Sequence, residues 1–264
     1  MKTISITTVG RLLRSLNALP NHYMFRGHAD YRWRLESSLE RMLGPKWSPT
    51  EARKYEQWSL DHFKSKFHLY DTENARPESR LAWLSIMQHY GVPTRLLDFS
   101  ESPYVALYFA LEAYSPEAKK DFSVIAIDYT AVMERSIAHI SRKDPSFRET
   151  RQSIHPQQDI VFDNVVDRHA YNVAWIAEPR QFNARLDRQA GSFLLSGNPG
   201  RRIEDILSLP TYRTARVIKY RVSASLYTAV FALLRKMNVT SKSIYGNLDG
   251  LARSIRMQMQ AYST

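Results

Sequence analysis

Cysteine is absent from the 264 residues. That excludes disulfides, a thiolate-ligated zinc and a thiol nucleophile, so any chemistry falls to hydroxyls, carboxylates, amides and histidines. No stretch is apolar for long enough to span a bilayer, and the start, MKTISITTVGRLLRSLNALP, patterns as an amphipathic helix. Neither a membrane span nor a secretory signal is therefore expected, and the expected location is cytoplasmic. The phosphate-loop spacing, the GxGxxG turn and HExxH are all missing. The 8 histidines form no close pair on one helical face, so no metal site is expected. Internal repeats and low-complexity linkers are lacking too, which leaves a single domain over residues 1–264.

What is present is ample apolar material, 44% of residues with 12% aromatic, enough for a sizeable core. The net charge of +11 gives a positive field that draws polyanions such as nucleic acid, or a smaller anion such as a dinucleotide. No block of like charges concentrates it, so an ordinary solvated basic surface explains the charge equally well.

Residues 3–8 read as a short strand, and Thr8 as the cap of a helix to about Ala18 with Leu12, Leu13, Leu16 and Leu19 on one face. The segment 22–28 reads as a strand that breaks at Gly27, placing Arg26 at its end, where a planar fork reaches either a phosphate or a carboxylate partner. Ser48-Pro49-Thr50-Glu51 has capping-box spacing and predicts a helix burying Ala52, Tyr55, Trp58, Phe63 and Phe67. A further helix follows Pro77 and stops at Gly91, where a left-handed residue is favoured and Pro93 forbids resumption. The stretch Val92–Ser102 reads as a polar elbow, and Ser102-Pro103 opens a helix apolar nearly all round. Residues 122–129, FSVIAIDY, predict a central strand. Residues 141–170, rich in charge, Gln and Pro, predict a long loop with a short helix, an insertion or a lid. Strands at 172–177, 192–195 and 215–222 and helices near 202–209, 224–237 and 248–260 complete the chain. The irregular alternation predicts an α+β fold, a mixed β-sheet core with flanking helices.

Several residues of the elbow carry chemistry. His89 either faces a ligand or caps the last carbonyls of its helix. Arg95 is expected to pair with Asp98 as an internal brace, and a carboxylate enclosed by two buried helices is one suited to acid–base work. Gly191 marks a close backbone approach to a neighbouring strand or a ligand.

Phe25-Arg26-Gly27, the stretch Tyr31–Arg41, the block Gln88-His89-Tyr90-Gly91-Val92-Pro93-Thr94-Arg95-Leu96-Leu97-Asp98, and Ser102 through Ala110 together resemble the FRG domain, a family named for its Phe-Arg-Gly triplet and common in bacteria and their phages. Asn183–Leu186 with Gln189–Phe193, and Tyr245–Ala252, are similar to its later blocks, so the resemblance runs over about 20–255. His28 departs from it, standing where the family commonly has Gln. A second resemblance, in the order of elements, is to the ADP-ribosyltransferase fold. It implies NAD as substrate, with Arg26 on a phosphate, Ser100 or Ser102 shaping the nicotinamide pocket and Gln189 where a carboxylate would stand. Gln189 carries no charge to stabilise a cation, so either Asp98 or Glu178 supplies it or the chemistry is not ADP-ribosyl transfer. The implied catalytic set is Arg26, Asp98, Ser102 and Gln189. The implied NAD contacts are Phe25, Arg26, Gly27, His89, Tyr90, Thr94, Arg95, Ser100, Arg185, Gly191 and Phe193. The implied role is a toxin or phage-defence effector acting on a nucleic-acid or protein acceptor. A basic nucleic-acid-binding or nuclease-type protein, or a silent interaction module, stands as the alternative.

Overall fold

In the computed structural model, which describes residues 1–70, 76–177 and 191–262, one mixed sheet divides two helical layers. The strands are β1 (Lys2–Ile6), β2 (Tyr23–His28), β3 (Leu97–Ser100), β4 (Phe122–Asp128), β5 (Ala174–Ala177), β6 (Gly191–Ser196) and β7 (Val217–Val222), in the order β1-β7-β4-β2-β3-β6-β5. Only β1 and β7 run parallel; the other pairs are antiparallel.

Strand β4 shows why both faces are covered. Ile125 and Ile127 enter one core, Phe122, Val124 and Ala126 the other, so its apolar run is continuous rather than alternating. The first core is closed by α3 (Pro49–Phe67), α4 (Arg80–His89), α6 (Tyr129–Lys143), the short α7 (Arg151–Ile154) and α8 (Gln158–Val161). The second is closed by α1 (Val9–Asn17) and α5 (Pro103–Glu112). From the C-terminal third, α9 (Ile203–Leu207) joins the first core, and α10 (Tyr227–Lys236), α11 (Ser241–Tyr245) and α12 (Leu248–Tyr262) the second. A small helix α2 (Ser38–Leu43) sits to one side.

The helix ends follow the local chemistry. Thr8 accepts from the Arg11 amide and Ser102 from the Val105 amide, each with extended backbone at the cap. Gly91 closes α4 at φ +82°, a left-handed conformation that favours glycine.

Four expectations are corrected. Strand β2 does not break at Gly27, which pairs with Val124, so Arg26 is interior to the strand. The elbow contains β3, a four-residue strand whose Leu97 and Phe99 are core. The buried side of α3 is Ala52, Glu56 and Leu60, with Phe63 and Phe67 partly buried against Trp83 as expected; Tyr55 is 40% and Trp58 62% exposed, and Trp58 stacks on His62. Residues 141–170 are largely helical, with a π turn at Phe162–Asp167 after α8, and Phe147, Ile154, Val161, Phe162 and Val166 lie in the core. No helix among the described residues is long and apolar enough to cross a membrane.

Candidate functional site

The sheet has a seam. Strands β2 and β4 pair over six residues, whereas β2 and β3 pair only at Phe25 and Ser100. Beyond that point the strands part, and a cavity of about 370 Å³ opens beside them, within the size range of small-molecule pockets. Its sheet side is Phe25, Arg26, Gly27, Asp98, Phe99, Ser100 and Phe193. Helix α4 contributes Ser85, Gln88 and His89, α5 contributes Ala106, Phe109 and Glu112, and Tyr245 and Arg253 come from α11 and α12.

Gly27 is fixed by packing. A Cβ there would lie 1.9 Å from the Ala106 carbonyl oxygen and 2.6 Å from the Ala110 nitrogen, so only glycine lets β2 meet the α5 backbone. Small residues on α5, Ala106 and Ala110, serve the same approach.

Arg26 bridges the seam. Its Nη1 donates to the Asp98 carbonyl at 2.7 Å and its Nε to His28 Nε2 at 3.2 Å. No carboxylate oxygen among the described residues lies within 4 Å of the guanidinium, as an ion pair would require. Burial pulls the Arg26 pKa below its ordinary value, the Asp98 charge acts the other way, and Arg41 adds to the lowering. Arginine keeps its charge in proteins, so the direction of the shift marks a cost of burying this cation, which Asp98 offsets only in part. His28 is driven to about 3, first by burial and then by Arg26, Lys219 and Arg41. It is therefore neutral, and its Nε2 lone pair faces Arg26.

Two carboxylates share the cavity. Asp98 is exposed rather than enclosed by helices, and its Oδ1 accepts from Gln88 Nε2 at 2.7 Å. The Gln88 carbonyl in turn accepts from the Thr94 hydroxyl, which fixes the amide so that its NH₂ faces Asp98. Glu112 is gripped by three donors: Tyr108 at 2.9 Å, Tyr245 at 2.8 Å and Arg253 at 3.1 Å. The site thus sets a cation bridging the seam against two oriented carboxylates, between the rings of Phe25, Phe109 and Phe193.

Of the residues expected at a ligand site, Phe25, Arg26, Gly27, His89, Asp98, Ser100 and Phe193 line this one cavity. Others are elsewhere. Arg95 does not pair with Asp98: its Nε lies 3.1 Å from Glu56, its Nη2 meets Asp167 and its Nη1 donates to the Ser196 carbonyl at 3.1 Å. Thr94 is fully buried, and its backbone nitrogen and oxygen bond Ser38 Oγ and, through its oxygen, the Leu39 amide, tying the elbow to α2. Ser102 caps α5, Tyr90 is 71% exposed at the end of α4, and Gly191 pairs with Ser100. Arg185, Gln189 and Glu178 lie outside the described residues. Among the described residues no three His, Asp or Glu side chains converge as a metal site would require.

Sequence reasoning missed the cavity roles of Gln88, Phe109, Glu112, Tyr245 and Arg253. Glu112 carried a signal, an acid on a helix otherwise apolar nearly all round. Tyr245 opened a block that resembles the family, without pointing to Glu112, and Arg253 carried no signal; their contacts with Glu112 span 133 and 141 residues.

Fold and cavity together define an α+β protein with a small-molecule-sized site at a parted strand pair. Residues 21–119, from the turn before β2 past the end of α5, match the family model of the FRG domain. The later blocks around Gln189 and Tyr245 lie beyond it. No curated protein and no solved structure matches the chain.

Proposed function

We propose that the seam cavity binds NAD and that the protein is an ADP-ribosyltransferase-like enzyme, transferring ADP-ribose to an acceptor or to water. The observation that carries this reading is the pairing, in one aromatic-walled cavity, of a cation lacking a close carboxylate with two positioned carboxylates. Arg26 has donors left for a phosphate, which a guanidinium grips with two parallel bonds. The rings of Phe25, Phe109 and Phe193 suit a planar base or nicotinamide.

The chemistry places the need for a carboxylate. When the C1′–N bond of NAD breaks, its electron pair leaves with neutral nicotinamide and a cation develops at C1′ and the ring oxygen. Asp98, oriented by Gln88, is the carboxylate we assign to that cation, in the role Gln189 cannot fill. Water or an acceptor nucleophile then bonds C1′ and releases a proton. Glu112, already engaged by three donors, shapes the wall. Within this reading the fold is of the ADP-ribosyltransferase kind, and a toxin or phage-defence effector acting on nucleic acid or protein is the expected biological role.

The test is incubation of purified protein with labelled NAD, alone and with RNA, DNA and cell protein. Nicotinamide release is expected, and Asp98→Asn is expected to lower kcat by about 10²–10³, the scale of losing one preorganised electrostatic group. Absence of release, of labelled product and of NAD binding sinks the reading. A salt-sensitive shift of RNA or DNA without any effect of NAD would instead favour a nucleic-acid-binding protein, which the net charge of +11 suits.

A further inference from the structure

The seam has a second open end. On the Tyr23 side of the Phe25–Ser100 pair, a separate cavity of about 480 Å³ lies among β2, the residue after β3, the start of β6, and the starts of α6 and α7. Its cation is Arg151. The guanidinium sits 5.9 Å over the Tyr129 ring, and its Nη1 donates to the Thr130 hydroxyl. His22 and His155 line the same cavity, and Glu101 is the acid among the described lining residues. His22 also has Asp128 3.6 Å from its Nε2.

Its surroundings set this arginine apart from most others in the chain. Six described arginines are buried or partly buried: Arg26, Arg80, Arg95, Arg151, Arg202 and Arg221. Four of them pair with carboxylates, Arg80 and Arg95 with Glu56 and Asp167, Arg202 with Glu36, and Arg221 with Asp121. Arg26 and Arg151 have no such pair among the described residues, and each lines one of the two seam cavities. A half-buried guanidinium that lies over a ring and holds most of its five donors in reserve is arranged for an anion with planar or tetrahedral oxygens.

We propose that the Arg151 cavity is a second, phosphate-binding site, with Arg151 as the anchor and His22, His155 and Thr130 as further donors. The phosphate belongs either to a small nucleotide or to the backbone of a polynucleotide. Glu101 at the cavity opposes it and weakens binding. The site stands on its own residues, whether or not the first cavity takes NAD.

The test is titration of the whole protein with inorganic phosphate, AMP and a short oligothymidylate at low salt, by calorimetry, with Arg151→Ala and Glu101→Gln alongside. Saturable binding is expected, lost by about tenfold or more in Arg151→Ala, the worth of one charge-assisted contact. Glu101→Gln is expected to tighten binding several-fold. Should Arg151→Ala fold poorly, Glu101→Gln still decides the matter. Equal affinity for AMP and oligothymidylate assigns a small nucleotide. Much tighter and steeply salt-dependent oligothymidylate binding, lost in Arg151→Ala, assigns a polynucleotide. Absence of saturable binding by all three probes, or wild-type affinities in both Arg151→Ala and Glu101→Gln, overturns the proposal.

Discussion

Arg26 lies within β2 and Arg95 two residues before β3, and their surroundings could hardly differ more. Arg95 is 6% exposed and charge-paired, with Glu56 and Asp167 as counter-charges and the Ser196 carbonyl as a further acceptor. Arg80 joins the same acids from the start of α4, its Nη2 2.9 Å from Glu56 and its Nε 3.2 Å from Asp167. Arg26 bridges two backbones through the Asp98 carbonyl and a neutral histidine, and leaves its charge to be met by something else. Both arginines stand out equally in the sequence. The counter-charge, not the residue type, separates a brace from a ligand anchor.

The largest effect is expected at the brace. Arg95→Ala leaves Glu56, itself 1% exposed, with half its compensation, and a broken buried pair costs about 3–5 kcal/mol. Denaturant unfolding should show a midpoint well below wild type; an unchanged midpoint would mean the network is not holding α3, α4 and the sheet together. Next in size is Gly27→Ala, whose methyl meets the α5 backbone. Overpacking of about 1–3 kcal/mol is expected in the same measurement, along with loss of the cavity's shape.

The acid limb gives a third test. His28 has a folded pKa of about 3 against an ordinary value near 6.5, so between those values the unfolded chain binds more protons than the folded one. Stability is therefore unaffected by this group above about pH 6.5 and falls as pH drops from there toward 3, by up to about 1.4 kcal/mol per unit. His28→Gln, which keeps an acceptor for Arg26 without titrating, should flatten that limb; an unchanged pH profile would contradict the assignment. The smallest stability effect belongs to Arg26→Ala. Removing a cation that has no close carboxylate partner should shift unfolding by only about 1 kcal/mol, the worth of its bridging hydrogen bonds.

Much of the architecture could be read from the chain where local rules decide it. Thr8, Ser102-Pro103 and Gly91 sit at the caps and stop their spacing predicts, and the apolar run of β4 is a central strand. Reading failed where distant partners decide. Trp58 looked like core because it is large and apolar, yet the inward position on α3 belongs to Glu56, which is buried because two arginines from elsewhere reach it. Residues 141–170 looked like a loop because of their charge. Asp163 instead accepts from the amides of Arg80 and Leu81, and Asp159 from the Ser79 hydroxyl, so these acids complete the start of α4. β3 escaped because four residues with Asp98 and Ser100 facing away from Leu97 and Phe99 give too short an alternation.

The site divides the same way. Phe25, Arg26, Gly27, His89, Asp98 and Ser100 fall in the stretch matched to the FRG domain and converge on the cavity. Arg95 and Thr94 fall in that stretch too, and they hold its walls.

The central claim is that Arg26 is a ligand anchor. Calorimetric titration of NAD into the wild-type protein and into Arg26→Ala, each first shown to unfold at a similar denaturant midpoint, tests it most directly. Saturable binding by the wild type, weakened about tenfold or more in the variant, is the predicted result. A folded wild-type protein that binds no NAD, or a variant that binds it as tightly as the wild type, would contradict it.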